Sequence, residues 1–122
     1  MYTYPFEKLF VWQLSKKLVV KIYTITKVFP ADEKFGLVNQ MRRAAISVSS
    51  NIAEGCGRKT AKDQAYFYNM AYSSLMELLN QLLISLDLGW ISTEEMTEVR
   101  NEIEVISLKI NALRKSILNN EQ

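Results

Sequence analysis

The last quarter of the chain carries the pattern that most restricts its fold. Its apolar residues recur at strictly alternating steps of three and four positions: Met96, Val99, Ile103, Ile106, Ile110, Leu113 and Ile117. This spacing places one apolar stripe along an α-helix over about three heptads, as in a coiled coil. A helix of this kind is stable in water only when its stripe is buried against other helices. The pattern therefore predicts a helix whose partners lie elsewhere in the chain.

Three earlier segments show the same helical period, and turn-forming residues are scarce, with two prolines and four glycines among 122 residues. We predict helices over residues 7–28, 33–55, 61–88 and 93–118. Short connections between long helices make neighbours antiparallel. The sequence thus predicts a single all-α domain over residues 1–122, an up-down-up-down antiparallel four-helix bundle.

Residues suited to helix ends lie between these segments. Asp32, Thr60 and Ser92 are good N-caps, and Asp63 and Glu95 follow the last two at capping-box spacing. We also expect the third helix to stop at a glycine, the one at position 89.

The stretch "GCGRKT", from Gly55 to Thr60, has the glycines and the Lys-Thr pair of a phosphate-binding loop. Such a loop needs G-x-x-x-x-G-K-[ST] after a buried strand, whereas here the spacing differs and a helix precedes it. We interpret Gly55 and Gly57 as the end of the second helix and Thr60 as the cap of the third.

The composition argues against an enzyme. The chain has no histidine, which removes the commonest general base and most zinc or iron sites. We expect no metal and no cofactor; the alternative is a carboxylate pair such as Glu54 and Glu77 that does acid–base work or holds a metal. The lone Cys56 has either a thiol pKa lowered by nearby cations or the role of a small helix-end residue. With no export signal and no apolar run long enough for a membrane span, we expect a cytoplasmic protein.

Charge is unevenly distributed along the chain. Residues 1–62 contain eleven Lys and Arg against four Asp and Glu, whereas residues 63–122 contain four against nine. The halves therefore carry +7 and −5, within a total of +2. This division indicates a polyanionic partner, self-association, or both.

A polar stripe on the second helix runs beside its apolar one. Its members lie three or four residues apart: Gln40, Arg43, Ser47, Asn51, Glu54 and Arg58. One interpretation is a solvated boundary with an ion pair between the last two. The other is a structural polar seam that faces another helix or subunit, with Glu77 and Gln81 as partners and with structural roles for Asn51 and Glu54.

A second set of residues combines aromatic rings with cations. Trp12, Lys16, Tyr23 and Lys27 share one sector of the first helix, which Arg42, Arg43, Arg58 and Lys59 could extend. Rings can stack on bases while cations hold phosphates, so these eight residues are candidates for binding nucleic acid. Alternatively, the lysines only solvate the helix while the rings pack in a subunit interface.

The chain resembles the four-helix-bundle family of 23S rRNA intervening-sequence proteins, small bacterial proteins first associated with insertions in ribosomal RNA genes. The resemblance rests on "VWQLSKKLVVKIYTITKVFP", "FGLVNQMRRAAISVSSNIAEG" and "AYSSLMELLNQLLISLDLGWIS", and "QMRRAAISVSSNIAEG" is its specific part. Ser73 departs from a frequent glycine of the family. The resemblance implies a homopentameric ring of four-helix bundles with no known catalytic activity. A fold relative is the accessory protein of diversity-generating retroelements, a basic pentamer that binds nucleic acid and a reverse transcriptase.

Two functions follow as hypotheses. The first is a non-catalytic homo-oligomer, expected to be a pentamer, that binds nucleic acid, RNA in preference to DNA, through the basic face. The alternative is an oligomeric scaffold for a protein partner, in which surplus apolar residues such as Val20 and Ile46 are buried between subunits.

Overall fold

Four α-helices make up the fold in the computed structural model, which describes residues 1–120. They are α1 (Phe10–Thr26), α2 (Leu37–Cys56), α3 (Ala61–Asp87) and α4 (Thr93–Asn120), and no strand occurs in this part of the chain. Each helix packs on the next one along the chain, and α1 packs on α4 to close the bundle. The predicted all-α four-helix bundle is confirmed. Residues 121–122 of the predicted domain lie outside the described residues.

Helix α1 begins later than the predicted residue 7. Residues Pro5–Lys8 form a 3₁₀ turn, and Leu9 has extended backbone angles that end it. The Glu7 carboxylate accepts a hydrogen bond from the Tyr4 backbone N–H at 2.8 Å. Glu7 therefore caps this 3₁₀ turn, and α1 starts after the turn.

The start of α2 also differs from the prediction. Asp32 is not its N-cap, because residues Ala31–Glu33 form a second 3₁₀ turn and α2 begins after Gly36. The Glu33 carboxylate accepts a hydrogen bond from the Leu37 N–H at 3.1 Å. This contact satisfies a backbone donor that a helix start leaves open. The connection between α1 and α2 is consequently longer than predicted.

Three other predicted helix ends are confirmed: the start of α3, its stop at Gly89, and the start of α4. The Asp63 N–H donates to Thr60 Oγ1 at 3.1 Å, and Ser92 and Glu95 form a reciprocal capping box with distances of 2.9 and 3.0 Å. Gly89 has φ +78°, a left-handed conformation that suits glycine. Its neighbour Trp90 donates to the Ser85 carbonyl at 2.9 Å, as in a Schellman motif.

The apolar stripes meet in one core. Fully buried side chains from all four helices fill it: Leu18, Ile22, Met41, Val48, Ile52, Leu75, Leu78, Leu82, Val99, Ile103, Ile106 and Ile110. The stripe of α4 is buried only as far as Ile110, and Leu113 and Ile117 are half-buried. The heptad pattern thus continues into a part of α4 that the other helices cover only partly.

Gly55 lies within α2 and is buried, so it does not end the helix as predicted. A Cβ atom at this position would lie 2.8 Å from the Tyr68 ring and 3.0 Å from Phe67 Cβ. Only glycine lets α2 and α3 approach this closely here. Gly55 therefore allows the close packing of α2 on α3, whereas Gly57 is the C-cap of α2, as predicted.

Candidate nucleic-acid interface

Arg42 is a cation on the face that α1 and α2 form together, and its side chain makes three contacts with α1. Its Nε donates to Thr26 Oγ1 at 3.0 Å and its Nη2 to the Tyr23 carbonyl at 3.4 Å. Its guanidinium also stacks on the Tyr23 ring, 4.4 Å from the centroid. Thr26 is itself buried and donates to the Ile22 carbonyl at 2.7 Å, which fixes its oxygen. Arg42 is thus oriented by its neighbours on α1 without being neutralised by them.

Trp12 and Lys16 lie nearer the start of α1. The Lys16 ammonium lies 4.9 Å from the centroid of the Trp12 ring. The other neighbour of this ring is Phe6, edge-on at 5.0 Å, and Trp12 packs against the core. The half-buried indole therefore has a structural role in the chain, while the ammonium of Lys16 stays exposed.

These residues belong to a surface that we call the α1–α2 face, defined by Trp12, Lys16, Tyr23, Lys27 and Arg42. The spacing puts three α1 residues and Lys27, the C-cap of α1, on one side of the helix. Lys27 and Arg42 line a common cavity. Within residues 1–120, the side chains that form salt bridges to carboxylates are Lys21 and Arg58. The cations of the α1–α2 face are therefore unpaired within the described part of the chain.

The other three candidate residues are not part of this face. Arg43 is exposed and follows Arg42, so it points about 100° further around α2. Arg58 forms a salt bridge of 3.2 Å to Glu54 and stacks on the Phe67 ring of α3 at 4.5 Å. Lys59 is exposed in the connection between α2 and α3. The structure thus separates these three residues from the five that define the α1–α2 face.

The predicted polar seam has a counterpart where α2 packs on α3. The hydroxyls of Ser47 and Ser74 lie 2.8 Å apart and join the two helices. Asn51 Nδ2 donates to the Ser47 carbonyl at 2.9 Å and to Ser47 Oγ at 3.0 Å. Ser74 was not among the predicted partners, since a serine at this spacing gives no signal in the sequence.

The remaining members of the predicted seam are exposed. Gln40 and Arg43 are on the surface, and the Glu54 carboxylate pairs with Arg58 on its own edge of α2. Glu77 is also exposed and accepts a hydrogen bond from Gln81 Nε2 at 3.2 Å, within α3. Gln81 is buried, and its Oε1 has no hydrogen-bond partner in residues 1–120. A seam that includes Glu54 and Glu77 stays a prediction for a contact between subunits.

Cys56 does not have the activated thiol that its basic neighbours suggested. Burial raises the pKa of Cys56, and the nearby Tyr68 only partly opposes this effect. Burial, together with the Cys56 thiol, raises the pKa of Tyr68 to about 12. A lowered thiol pKa is therefore wrong, and the pair is part of the packing between α2 and α3.

An ion pair between α1 and α4 was missed by sequence reasoning. The Lys21 ammonium contacts Glu98 and lies 2.9 Å from Glu102 Oε2. Burial disfavours the charge of Lys21, but the two carboxylates outweigh this and raise its pKa above the ordinary value. These partners are distant in sequence, and only the closure of α1 onto α4 brings them together.

Two kinds of feature are absent from residues 1–120. No three His, Cys, Asp or Glu side chains in this range come together in an arrangement that could hold a metal ion. None of the helices described is both long and apolar enough to cross a membrane.

Comparison with known proteins identifies the family. Residues 7–112 match the family described as 23S rRNA-intervening sequence protein. A similar solved structure is a protein of unknown function from the S23 ribosomal protein family of Bacteroides thetaiotaomicron VPI-5482. It is 22% identical, with a TM-score of 0.80, over 86% of this chain and 98% of that chain. At this identity the likeness shows the fold alone. No match was found among curated proteins. The family match spans most of the sequence, and the chain therefore belongs to the 23S rRNA-intervening sequence protein family.

Proposed function

We propose that this protein is a non-catalytic, cytoplasmic nucleic-acid-binding protein whose α1–α2 face holds a strand, RNA in preference to DNA. The proposal rests on the cations of this face that form no salt bridge within the described part of the chain. Lys16, Lys27 and Arg42 form no salt bridges to the carboxylates of residues 1–120. Phosphates are the partners that such a row of cations fits best.

The distribution of charge supports the same surface. Helices α1 and α2 belong to the half of the chain that carries +7, whereas α4 and nearly all of α3 belong to the half that carries −5. A polyanion is attracted to the first pair of helices and repelled by the second. The Tyr23 ring, 37% exposed beside Arg42, adds an aromatic surface for a base.

The test is a fluorescence-anisotropy titration of labelled single-stranded RNA and DNA at several salt concentrations. The variant Lys16→Gln/Lys27→Gln removes two cations from the α1–α2 face. Arg100→Gln/Lys115→Gln removes the same charge from exposed positions on α4 and serves as the matched control. We expect the first variant alone to bind weakly, with a salt slope smaller by about 1.4, the value for two lost single-strand contacts.

The opposite results would contradict the proposal. Equal losses in both variants would mean that only net charge matters. Absence of RNA and DNA binding even at about 50 mM salt, where counterion release favours association, would favour the protein scaffold instead.

We also propose that the chain forms a homo-oligomer, the pentamer that the family resemblance implies. Large apolar side chains remain exposed on α1, α2 and α4, among them Val20, Ile46, Val105 and Leu108. Contacts between copies would bury such residues. Light scattering at micromolar concentration should give a multiple of 14.1 kDa. A monomer would contradict the assembly.

A further inference from the structure

A cavity of about 290 Å³ lies at the corner between α1 and α2. Its walls are Phe29, Pro30 and Val38, and its cations are Lys27, Lys34 and Arg42. Among residues 1–120, no carboxylate lines it. The closest acids in sequence are Asp32, which is exposed on the 3₁₀ turn, and Glu33, whose carboxylate accepts from the Leu37 N–H. The cavity therefore combines three positive charges with no internal counter-charge.

We propose that this corner cavity is a phosphate site, which anchors one phosphate group of a bound nucleic-acid strand. The inference rests on the proposed function and adds to it the point at which the strand is fixed. Arg42 Nη1 makes no hydrogen bond within residues 1–120, while Nε and Nη2 are held by α1. A planar guanidinium oriented in this way can offer N–H groups to phosphate oxygens at little cost in side-chain entropy.

The other two cations fit the same ligand. Lys27 and Lys34 are exposed, with long flexible stems, so their ammonium groups can close on a phosphate that Arg42 orients. Lys27 is also the last cation of the row that begins with Lys16, about 16 Å away along α1. A strand that follows this row therefore reaches the cavity at its end.

The first experiment compares Arg42→Gln with Arg43→Gln, its sequence neighbour, which carries the same charge on another side of α2. The probes are two single-stranded RNA oligonucleotides of equal sequence, one with a 5′-phosphate and one with a 5′-hydroxyl. We expect Arg42→Gln to weaken binding about tenfold, the loss of one charge-assisted contact, and Arg43→Gln less than about twofold. A loss confined to the phosphorylated probe assigns a terminal phosphate to the site, and an equal loss for both assigns an internal phosphodiester.

Arg42 also binds Thr26, so its replacement could disturb the fold. Lys34→Gln is a second variant that should leave the fold unchanged. Lys34 is exposed, and its side chain forms no hydrogen bond within the described residues. This variant should weaken binding while the melting temperature stays that of the wild type. If the wild type binds RNA and neither Arg42→Gln nor Lys34→Gln binds more weakly than Arg43→Gln, the corner site is wrong and the proposed function stands.

A titration with inorganic phosphate, monitored by two-dimensional NMR, tests the corner phosphate site independently of RNA binding. Amide shifts over residues 26–34 in the wild type, reduced in Arg42→Gln, would support the site even if RNA binding failed. Absence of these shifts together with absence of RNA binding would overturn both the site and the function.

Discussion

Helix α2 is bordered by α1 along one edge and by α3 along the other, and the two edges use their polar residues in different ways. Towards α3, Ser47 is bonded to Ser74, and Arg58 is paired with Glu54 and stacked on Phe67. Towards α1, Arg42 is oriented by Thr26 and Tyr23, but no carboxylate of residues 1–120 forms a salt bridge with it. A charge that is held in place and left unpaired is available to a ligand, whereas a paired charge serves the fold.

The largest effect is expected where the α3 edge is packed most closely. Gly55→Val places a branched side chain where even a Cβ atom would lie 2.8 Å from the Tyr68 ring. We expect a loss of about 3 kcal/mol in the free energy of unfolding from overpacking. Gly57→Ala is the control, because its Cβ would meet nothing closer than 3.6 Å. Denaturant titration measures both, and an equal stability of the two variants would contradict the close approach.

Replacement of Trp12 tests whether side chains at the α1 edge also stabilise the fold. Its ring is half-buried against Phe6 and the core, so Trp12→Ala should cost about 2 kcal/mol, less than for a fully buried indole. Thermal unfolding followed by circular dichroism provides the measurement. Unchanged stability with a loss of single-strand binding would instead identify Trp12 as a surface for stacking bases.

Alkaline pH should weaken the α3 edge through Tyr68. Its folded pKa of about 12 lies above the unfolded value near 10, so the folded state retains the proton longer. The stability from this group is complete below about pH 10 and is lost as the pH rises towards 12. Between pH 9 and 11 the wild type should lose about 1 kcal/mol more than Tyr68→Phe. Parallel pH profiles of the two proteins would argue against burial of the hydroxyl.

The polar contacts of the α3 edge should give smaller effects. Asn51→Ala removes two hydrogen bonds to Ser47 and should destabilise by about 1 kcal/mol. Glu54→Gln, which breaks an exposed ion pair, should cost less than about 0.5 kcal/mol. Equilibrium unfolding of the isolated subunit measures both losses. If Glu54→Gln destabilised the subunit more than Asn51→Ala, the polar seam would lie at Glu54 and not at Ser47.

The helices and most of their ends were predictable because each signal is local. The alternating steps of α4 and the capping residues Thr60 and Ser92 act within one or two turns of chain. The start of α2 was not predictable, because Glu33 caps it from within a 3₁₀ turn that competes with a simple N-cap at Asp32.

The candidate interface was predictable in part. Helical spacing predicts that Trp12, Lys16, Tyr23 and Lys27 share one side of the first helix, and α1 includes the first three of these residues. It could not show that Arg42 joins them while Arg58 turns to Glu54 and Phe67, because those choices depend on how α1 and α3 flank α2. The role of Gly55 was hidden for the same reason, since its partner Tyr68 lies on another helix.

Photo-crosslinking tests most directly whether a nucleic-acid strand binds to the α1–α2 face. Single-stranded RNA containing 4-thiouridine would be irradiated with the wild-type protein, and the crosslinked peptides would be identified by mass spectrometry. We predict crosslinks concentrated on the peptide that contains Tyr23, with few on the α3 peptide that contains the exposed Tyr66. Crosslinks concentrated on α3 or α4, or spread evenly over all four helices, would contradict binding through the α1–α2 face.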